Sequence, residues 1–401
     1  MYQYHGNMIN ENLLLLYLAR KRIPETVRAH IRPLLAGSVP WESLVDAAFA
    51  ESLAPLVYYN LKDLAEIHLV PQEALQKLKV AYYGNLARNT ALFSELHRIM
   101  EACDNRNVDT MVLKGAALAN TVYGNIALRS MFDIDILVQQ KDLSCVRDIM
   151  FDLDYIVNTH VKSEEWYSRR HGFHLAPFVH KRKYINVEVH WNVAKKTFDI
   201  DINKWWKRAV RVAIDNYEAL IPSAEDMLLH LCLHLHHQNY NVGIIKRGMC
   251  DIYETLHYYK GSINWALFEE EISLCKMTKP AHAVLHVLKK LYGSEDDSLL
   301  HVALDQLDKK FTNILEDKIL KSSDFPGPFI QFYATERLWD KVKSLSAIVF
   351  PEPEKMAAYY SIPLNSKKLY LWYLLRPFIL VLHYWKILSE MYRTRKYSQE
   401  V

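Results

Sequence analysis

At 401 residues the chain exceeds the usual single-domain size. Its composition, half hydrophobic and 12% aromatic with only 11 glycines, argues against a disordered or fibrous protein. The formal net charge of +3 is too small to select a partner by bulk charge. Five scattered cysteines with no CxxC spacing argue against a disulfide framework or a cysteine zinc site, and fit a reducing, cytoplasmic setting.

Residues 1–84 read as a helical N-terminal region. The apolar run Leu13 to Leu18 is short, lacks a preceding basic stretch and leads into Arg20-Lys21-Arg22 with no small-residue cleavage site, which predicts an amphipathic helix instead of a targeting signal. Pro24, Pro33, Pro40 and Pro71 are predicted to separate the helices, and Leu44, Val45, Ala48 and Leu53 repeat at helical spacing. Trp41-Glu42-Ser43-Leu44 and Trp265-Ala266-Leu267-Phe268 each open an apolar helical stretch, an echo no stronger than chance similarity.

Residues 85–220 read as a mixed α/β core. A helix is predicted from about Asn85 to Asn105, then a short strand from Asp109 to Lys114, a turn at Gly115, and a small-residue helix from Ala116 to about Tyr123. Met131 to Val138 alternates polar and apolar residues as a strand does. A helix from about Lys141 to Leu153 follows, then runs Phe173 to Val179 and Tyr184 to Trp191, joined across Lys181-Arg182-Lys183 as a hairpin. Residues 160–211 hold 12 Lys/Arg against 5 Asp/Glu, a local +7 that suits a phosphate-bearing substrate and equally a solvated basic face. From Ser223 the periodicity is helical almost to the end, so residues 221–401 read as a helical C-terminal region.

Chemistry concentrates in the core. Side chains two apart on a strand share a face, so Asp133 and Asp135 point together while Ile134 and Ile136 point away. Paired carboxylates offer hard oxygen ligands to Mg²⁺ or Mn²⁺, and a third acid, Glu188, sits between Val187 and Val189 on a later strand. Lys114-Gly115, some twenty residues before the pair, places backbone N–H donors at a helix start, and Lys114 and Arg129 add positive charge on either side.

The order Leu113-Lys114-Gly115, then Arg129 with Asp133 and Asp135, then Val187-Glu188-Val189-His190-Trp191 resembles the nucleotidyltransferases of the polymerase-β superfamily. Stretches around Trp41 to Leu61 and His230 to Asp251 are similar to that family's flanking regions, so the resemblance covers most of the chain. It implies an α+β fold: a polymerase-β-like core of small mixed sheet and helices, flanked by helical regions at 1–84 and 221–401. It also implies transfer of a nucleoside monophosphate from a nucleoside triphosphate, ATP among the candidates, to a hydroxyl on a small molecule, sugar or protein, the acceptor being unknown. Catalytic and metal-binding roles then fall to Asp133, Asp135 and Glu188 with Mg²⁺ or Mn²⁺, and nucleotide binding to Lys114, Gly115, Ala116, Arg129 and His190. The superfamily's turn is usually Gly-Ser or Gly-Gly. Here Ala116 offers no hydroxyl, so Lys114, Arg129 or backbone amides take that contact. A binding or scaffold protein that keeps the fold without turnover is the alternative.

Several residues carry weaker signals. His230, His234 and His237 line one helix face at metal-compatible spacing or line the cleft, with His236 and Cys232 facing elsewhere. His190 shares the face of Glu188, Trp191 reads as core, and His174 and His180 have similar parity on the preceding strand. Arg247 and Asp251 are spaced for a simple i, i+4 ion pair. No basic, aromatic-interleaved RNA platform stands apart from residues 160–211, so a nucleic-acid-end polymerase is a weaker third reading, and no DNA partner is expected. Leu369 to Leu388 is apolar and aromatic between Lys367-Lys368 and Arg393, Arg395 and Lys396. Arg376-Pro377 interrupts it after seven residues, too few to span a bilayer of about 30 Å, which leaves peripheral membrane contact through the C-terminal helix or a buried helix.

Overall fold

The computed structural model describes residues 2–158, 172–214, 217–238, 240–241, 243–292, 308–321, 327–335 and 338–398. They belong to two compact units, Met1–Ser323 and Asp324–Val401. Part of the basic stretch within 160–211 lies outside the described residues.

The first unit opens with five helices: α1 (Tyr2–Leu18), α2 (Glu25–Ala36), α3 (Trp41–Ala50), α4 (Ala54–Leu61) and α5 (Gln72–Asp104). Near its end α1 is not amphipathic. Leu14, Leu15, Leu16 and Leu18 are all buried, because α2, α3, α4 and the later Lys309–Lys321 helix pack around it. Pro24, Pro40 and Pro71 sit directly before α2, α3 and α5, where the missing N–H costs nothing. Pro33, expected to separate helices, lies inside α2 instead. Val27, Ile31 and Leu35 bury one face of that helix while Pro33 stays on the exposed face, so apolar burial outweighs one lost backbone bond. The helix expected from Asn85 begins at Gln72 and runs 33 residues.

Seven strands follow: β1 (Thr110–Val112), β2 (Asp133–Val138), β3 (Tyr155–Val157), β4 (Phe178–His180), β5 (Asn186–His190), β6 (Val210–Ile214) and β7 (Tyr217–Ile221). They form one mixed sheet in the order β3-β4-β5-β2-β1-β7-β6. The β1–β2 pair is antiparallel, β2–β5 and β1–β7 are parallel, and β4–β5 is the expected hairpin. Its turn is capped by His180, whose Nδ1 accepts from the Arg182 and Lys183 amides at 3.1 and 3.3 Å. Helices α6 (Lys114–Asn120) and α7 (Leu143–Asp152) connect strands, α6 packing on β2.

Beyond Ser223 the first unit is helical, as expected. Ser223 caps the Ala224–His237 helix, and Gly248 of the Ile245–Tyr258 helix lies so close to Leu235 that a β-carbon there would overlap its side chain. All five cysteines are unpaired.

The second unit holds helices Gly327–Ala334, Leu338–Val349, Pro353–Tyr359 and Lys368–Ser398. Met356, Ala357 and Leu369 form a small core with Tyr360, Ile362, Trp372 and Tyr373 against it. Pro377 does not break the last helix. Just before it, Arg376 donates to the Ile348 carbonyl at 3.0 Å and lies over the Tyr359 ring, anchoring the turn that carries the proline. No helix among the described residues is long and apolar enough to cross a membrane.

Candidate active site

The parallel pairing of β2 with β5 sets Asp135 opposite Glu188 and Leu137 opposite His190. Directly opposed residues share a face, and Asp133 lies two residues before Asp135 on that face. Ligand atoms of Asp135, Glu188 and His190 all fall within 4.8 Å of one another. Asp133 is not within that tight group, but the charges of both other acids act on its carboxyl. The His190 Nε2–H donates to Asp135 Oδ1 at 2.9 Å and lies 3.4 Å from Glu188 Oε2. Lys114 Nζ donates to the same Asp135 oxygen at 2.8 Å.

These contacts divide the acids electrostatically. Burial opposes ionisation of Asp135, yet Lys114 and the His190 hydrogen bond outweigh it and hold the carboxyl well below the usual range. Burial also opposes ionisation of Glu188, and His190 again wins, drawing it down. Among the described residues Asp133 has no such donor. Burial first, and then the charges of Asp135 and Glu188, push it up to about 6. His190 is raised by its two carboxylate partners against the pull of burial.

The phosphate-side residues are held from several directions. Lys114 opens α6 with φ of 39°, a strained, left-handed-side conformation for a residue with a β-carbon. A β-carbon on Gly115 would come within 2.7 Å of Arg129 Nη1 and 3.2 Å of Met131 Cγ, so glycine is dictated by close approach. Ala116 is buried. The Arg129 guanidinium donates to Asp251 through Nη2 at 2.9 Å and Nε at 3.4 Å, and the Tyr123 hydroxyl donates to the same carboxylate at 2.9 Å. The i, i+4 pairing of Arg247 with Asp251 therefore does not form, because Arg129 takes the carboxylate from across the fold. Two buried asparagines of α5 fix the segment leading to Asp133. Asn85 donates to the Ala127 carbonyl at 2.8 Å, and Asn89 to the Ile126 and Arg129 carbonyls at 2.5 and 2.8 Å.

A family described as uncharacterised nucleotidyltransferases matches residues 37–293, well over half of the chain. The chain belongs to this nucleotidyltransferase family. No curated protein matches it. Among solved structures, the antibiotic-resistance factor ANT(2'')-Ia is similar at 14% identity and a TM-score of 0.32, over 49% of this chain and 96% of that one. An antigenic nucleotidyltransferase-like protein from Paracoccidioides brasiliensis is similar at 13% identity and a TM-score of 0.33, over 54% of this chain and 92% of that one.

In this family member no second candidate group of metal ligands is formed by the other histidines among the described residues. His174 bridges to His190 across the strands, their rings 5.2 Å apart. His230 meets the buried Trp205 edge-on, and His237 packs on Phe173 and Phe198. Burial first, then Lys114, depresses His234 to about 3, and burial keeps His230 and His237 well below the usual imidazole value. Burial thus favours the neutral form of all three. His236 and Tyr240 form their own pair. Trp191 is half-buried.

Proposed function

We propose that the protein moves a nucleoside monophosphate from a nucleoside triphosphate to a hydroxyl on a small molecule, sugar or protein, with Mg²⁺ or Mn²⁺ as cofactor. The observation that supports it best is the register that sets Glu188 beside Asp135, with Asp133 on the same face. The residues fit a divalent cation. Three acids, each with oxygen ligands, share a region with Lys114 and His190, and the carboxyl of Asp133 is driven up to about 6 by burial and then by the charges of Asp135 and Glu188. Asp133, Asp135 and Glu188 would hold the ion, which when bound offsets phosphate charge and acidifies an attacking hydroxyl.

The protein's own groups supply the rest. Lys114 and His190 fix the Asp135 oxygen from two sides and keep it ionised. Glu188, drawn down by His190, stays ready to accept the hydroxyl proton. Lys114, Gly115, Ala116, Arg129 and His190 are assigned to the nucleotide. Residues 85–220 carry the chemistry in this reading, with helical regions on either side in the chain. The test is pyrophosphate release from each common triphosphate with Mg²⁺ or Mn²⁺ and a pool of hydroxyl acceptors. Release lost on Asp135→Asn supports the reading. Nucleotide binding without release by the native protein would instead favour the scaffold alternative.

We also propose peripheral membrane contact through the last helix. Tyr370, Leu371, Leu374, Phe378, Leu382 and Trp385 are all exposed there, and no acidic residue occurs between Glu354 and Glu390. Cosedimentation with anionic vesicles, lost on Leu374→Glu/Leu382→Glu, would support this. No binding by the native chain would sink it.

A further inference from the structure

Three basic side chains of this unit are already engaged: Lys114 with Asp135, Arg129 with Asp251, and Lys246 with Glu51. A triphosphate carries more negative charge than any other reactant in nucleotidyl transfer, and Ala116 has no hydroxyl to offer it. Two arginines near Phe132, the residue before Asp133, are not engaged in this way. Arg88, on the exposed side of α5, and Arg247, in the first turn of the Ile245–Tyr258 helix, make no hydrogen bond or ion pair among the described residues. Instead both guanidinium groups lie over one ring, that of Phe132, at 5.6 and 5.8 Å from its centroid.

Phe132 directly precedes Asp133, and it is 54% exposed. A guanidinium held over an aromatic face by cation–π attraction keeps its N–H donors available, and two such groups match the paired oxygens of a polyphosphate. Arg247 is costly as it stands. Burial, and then the nearby charge of Arg129, draw its pKa down, against weaker pulls from Asp251, Asp133 and Glu51. An anion would relieve that cost.

We propose that Arg88 and Arg247, lying over Phe132, bind the β- and γ-phosphates of the donor triphosphate. The proposal rests on the nucleotidyl-transfer reading and deepens it. In that reaction the acceptor oxygen forms a bond to the α-phosphorus as the bond from the α-phosphorus to the bridging oxygen breaks. The electron pair leaves with pyrophosphate, and the hydroxyl proton passes to Glu188. Arg88 and Arg247 hold the group that departs.

Titration calorimetry of the full chain with inorganic pyrophosphate and tripolyphosphate, in fixed Mg²⁺, tests this without knowledge of the base. Arg88→Gln and Arg247→Gln are each expected to weaken tripolyphosphate binding about tenfold, with a shallower salt dependence. Arg247→Lys should recover part of the loss, and Mn²⁺ affinity at the carboxylates should not change. Arg88 is exposed, so its variant reports even if Arg247→Gln folds poorly. Native-like tripolyphosphate binding in Arg88→Gln and in the double variant, with transfer intact in the native protein, overturns this proposal alone. A native protein that binds neither polyphosphate nor any nucleoside triphosphate overturns the transfer reading and this proposal together.

Discussion

Replacing Asp251 with asparagine removes the charge that the Arg129 guanidinium is built against. The pair is deeply enclosed, with side chains 12% and 3% exposed. Removing one partner of such a pair leaves an uncompensated buried charge, at a cost of about 3–5 kcal/mol. Tyr123 loses part of its acceptor as well. For a unit of this size about 2 °C accompanies each kcal/mol, so the melting temperature should fall by roughly 6–10 °C. Thermal unfolding followed by circular dichroism, alongside urea denaturation, measures the change. Arg247→Gln is the internal comparison. Arg247 has the more obvious helical spacing to Asp251 but no ion pair with it, so its loss should cost less than about 1 kcal/mol. Equal destabilisation by the two variants, or none by Asp251→Asn, would refute the assignment of Asp251 to Arg129.

Two further outcomes follow from the same geometry. Gly115→Ala places a methyl group against Arg129 and Met131, so it should cost about 1–3 kcal/mol in urea denaturation and weaken nucleotide binding measured by calorimetry. Asp133 gives a pH signature in the metal-free protein. Its folded value of about 6 lies above the ordinary aspartate value, so its stabilising contribution is complete below about pH 4 and is lost as pH rises through 6. Carbon-13 NMR should show that carboxyl titrating near 6 without metal and well below it in saturating Mg²⁺, and Asp133→Asn should stabilise the metal-free protein at pH 8. A titration unmoved by Mg²⁺ would remove Asp133 from the metal site.

The acids were legible in the sequence because strand parity is a local property. Asp133 and Asp135 alternate with Ile134 and Ile136, and Glu188 sits between two valines, so their common orientation needs no tertiary information. The register between the strands is different in kind. Nothing in either segment dictates that β2 and β5 run parallel with Asp135 opposite Glu188. Strands β3 and β6 lie at the sheet's two ends, where Ile156 and Val210 are nearly half exposed, which leaves no clean alternation to read. The Arg129–Asp251 pair spans 122 residues, whereas Arg247 offered Asp251 a partner one helical turn away. Sequence spacing favours the near partner, and tertiary packing supplied the far one. Pro33 and Pro377 show the same override, since both sit inside helices that packing sustains.

The central claim is tested most directly by the fate of label from two positions of one triphosphate. With Mg²⁺ and an acceptor pool, label at the α-phosphate should enter product while label at the γ-phosphate leaves as pyrophosphate. The α-label transfer should fall at least a hundredfold in Asp135→Asn and Glu188→Gln. Transfer of the γ-label, or α-label transfer undiminished in both variants, would contradict nucleotidyl transfer at these carboxylates.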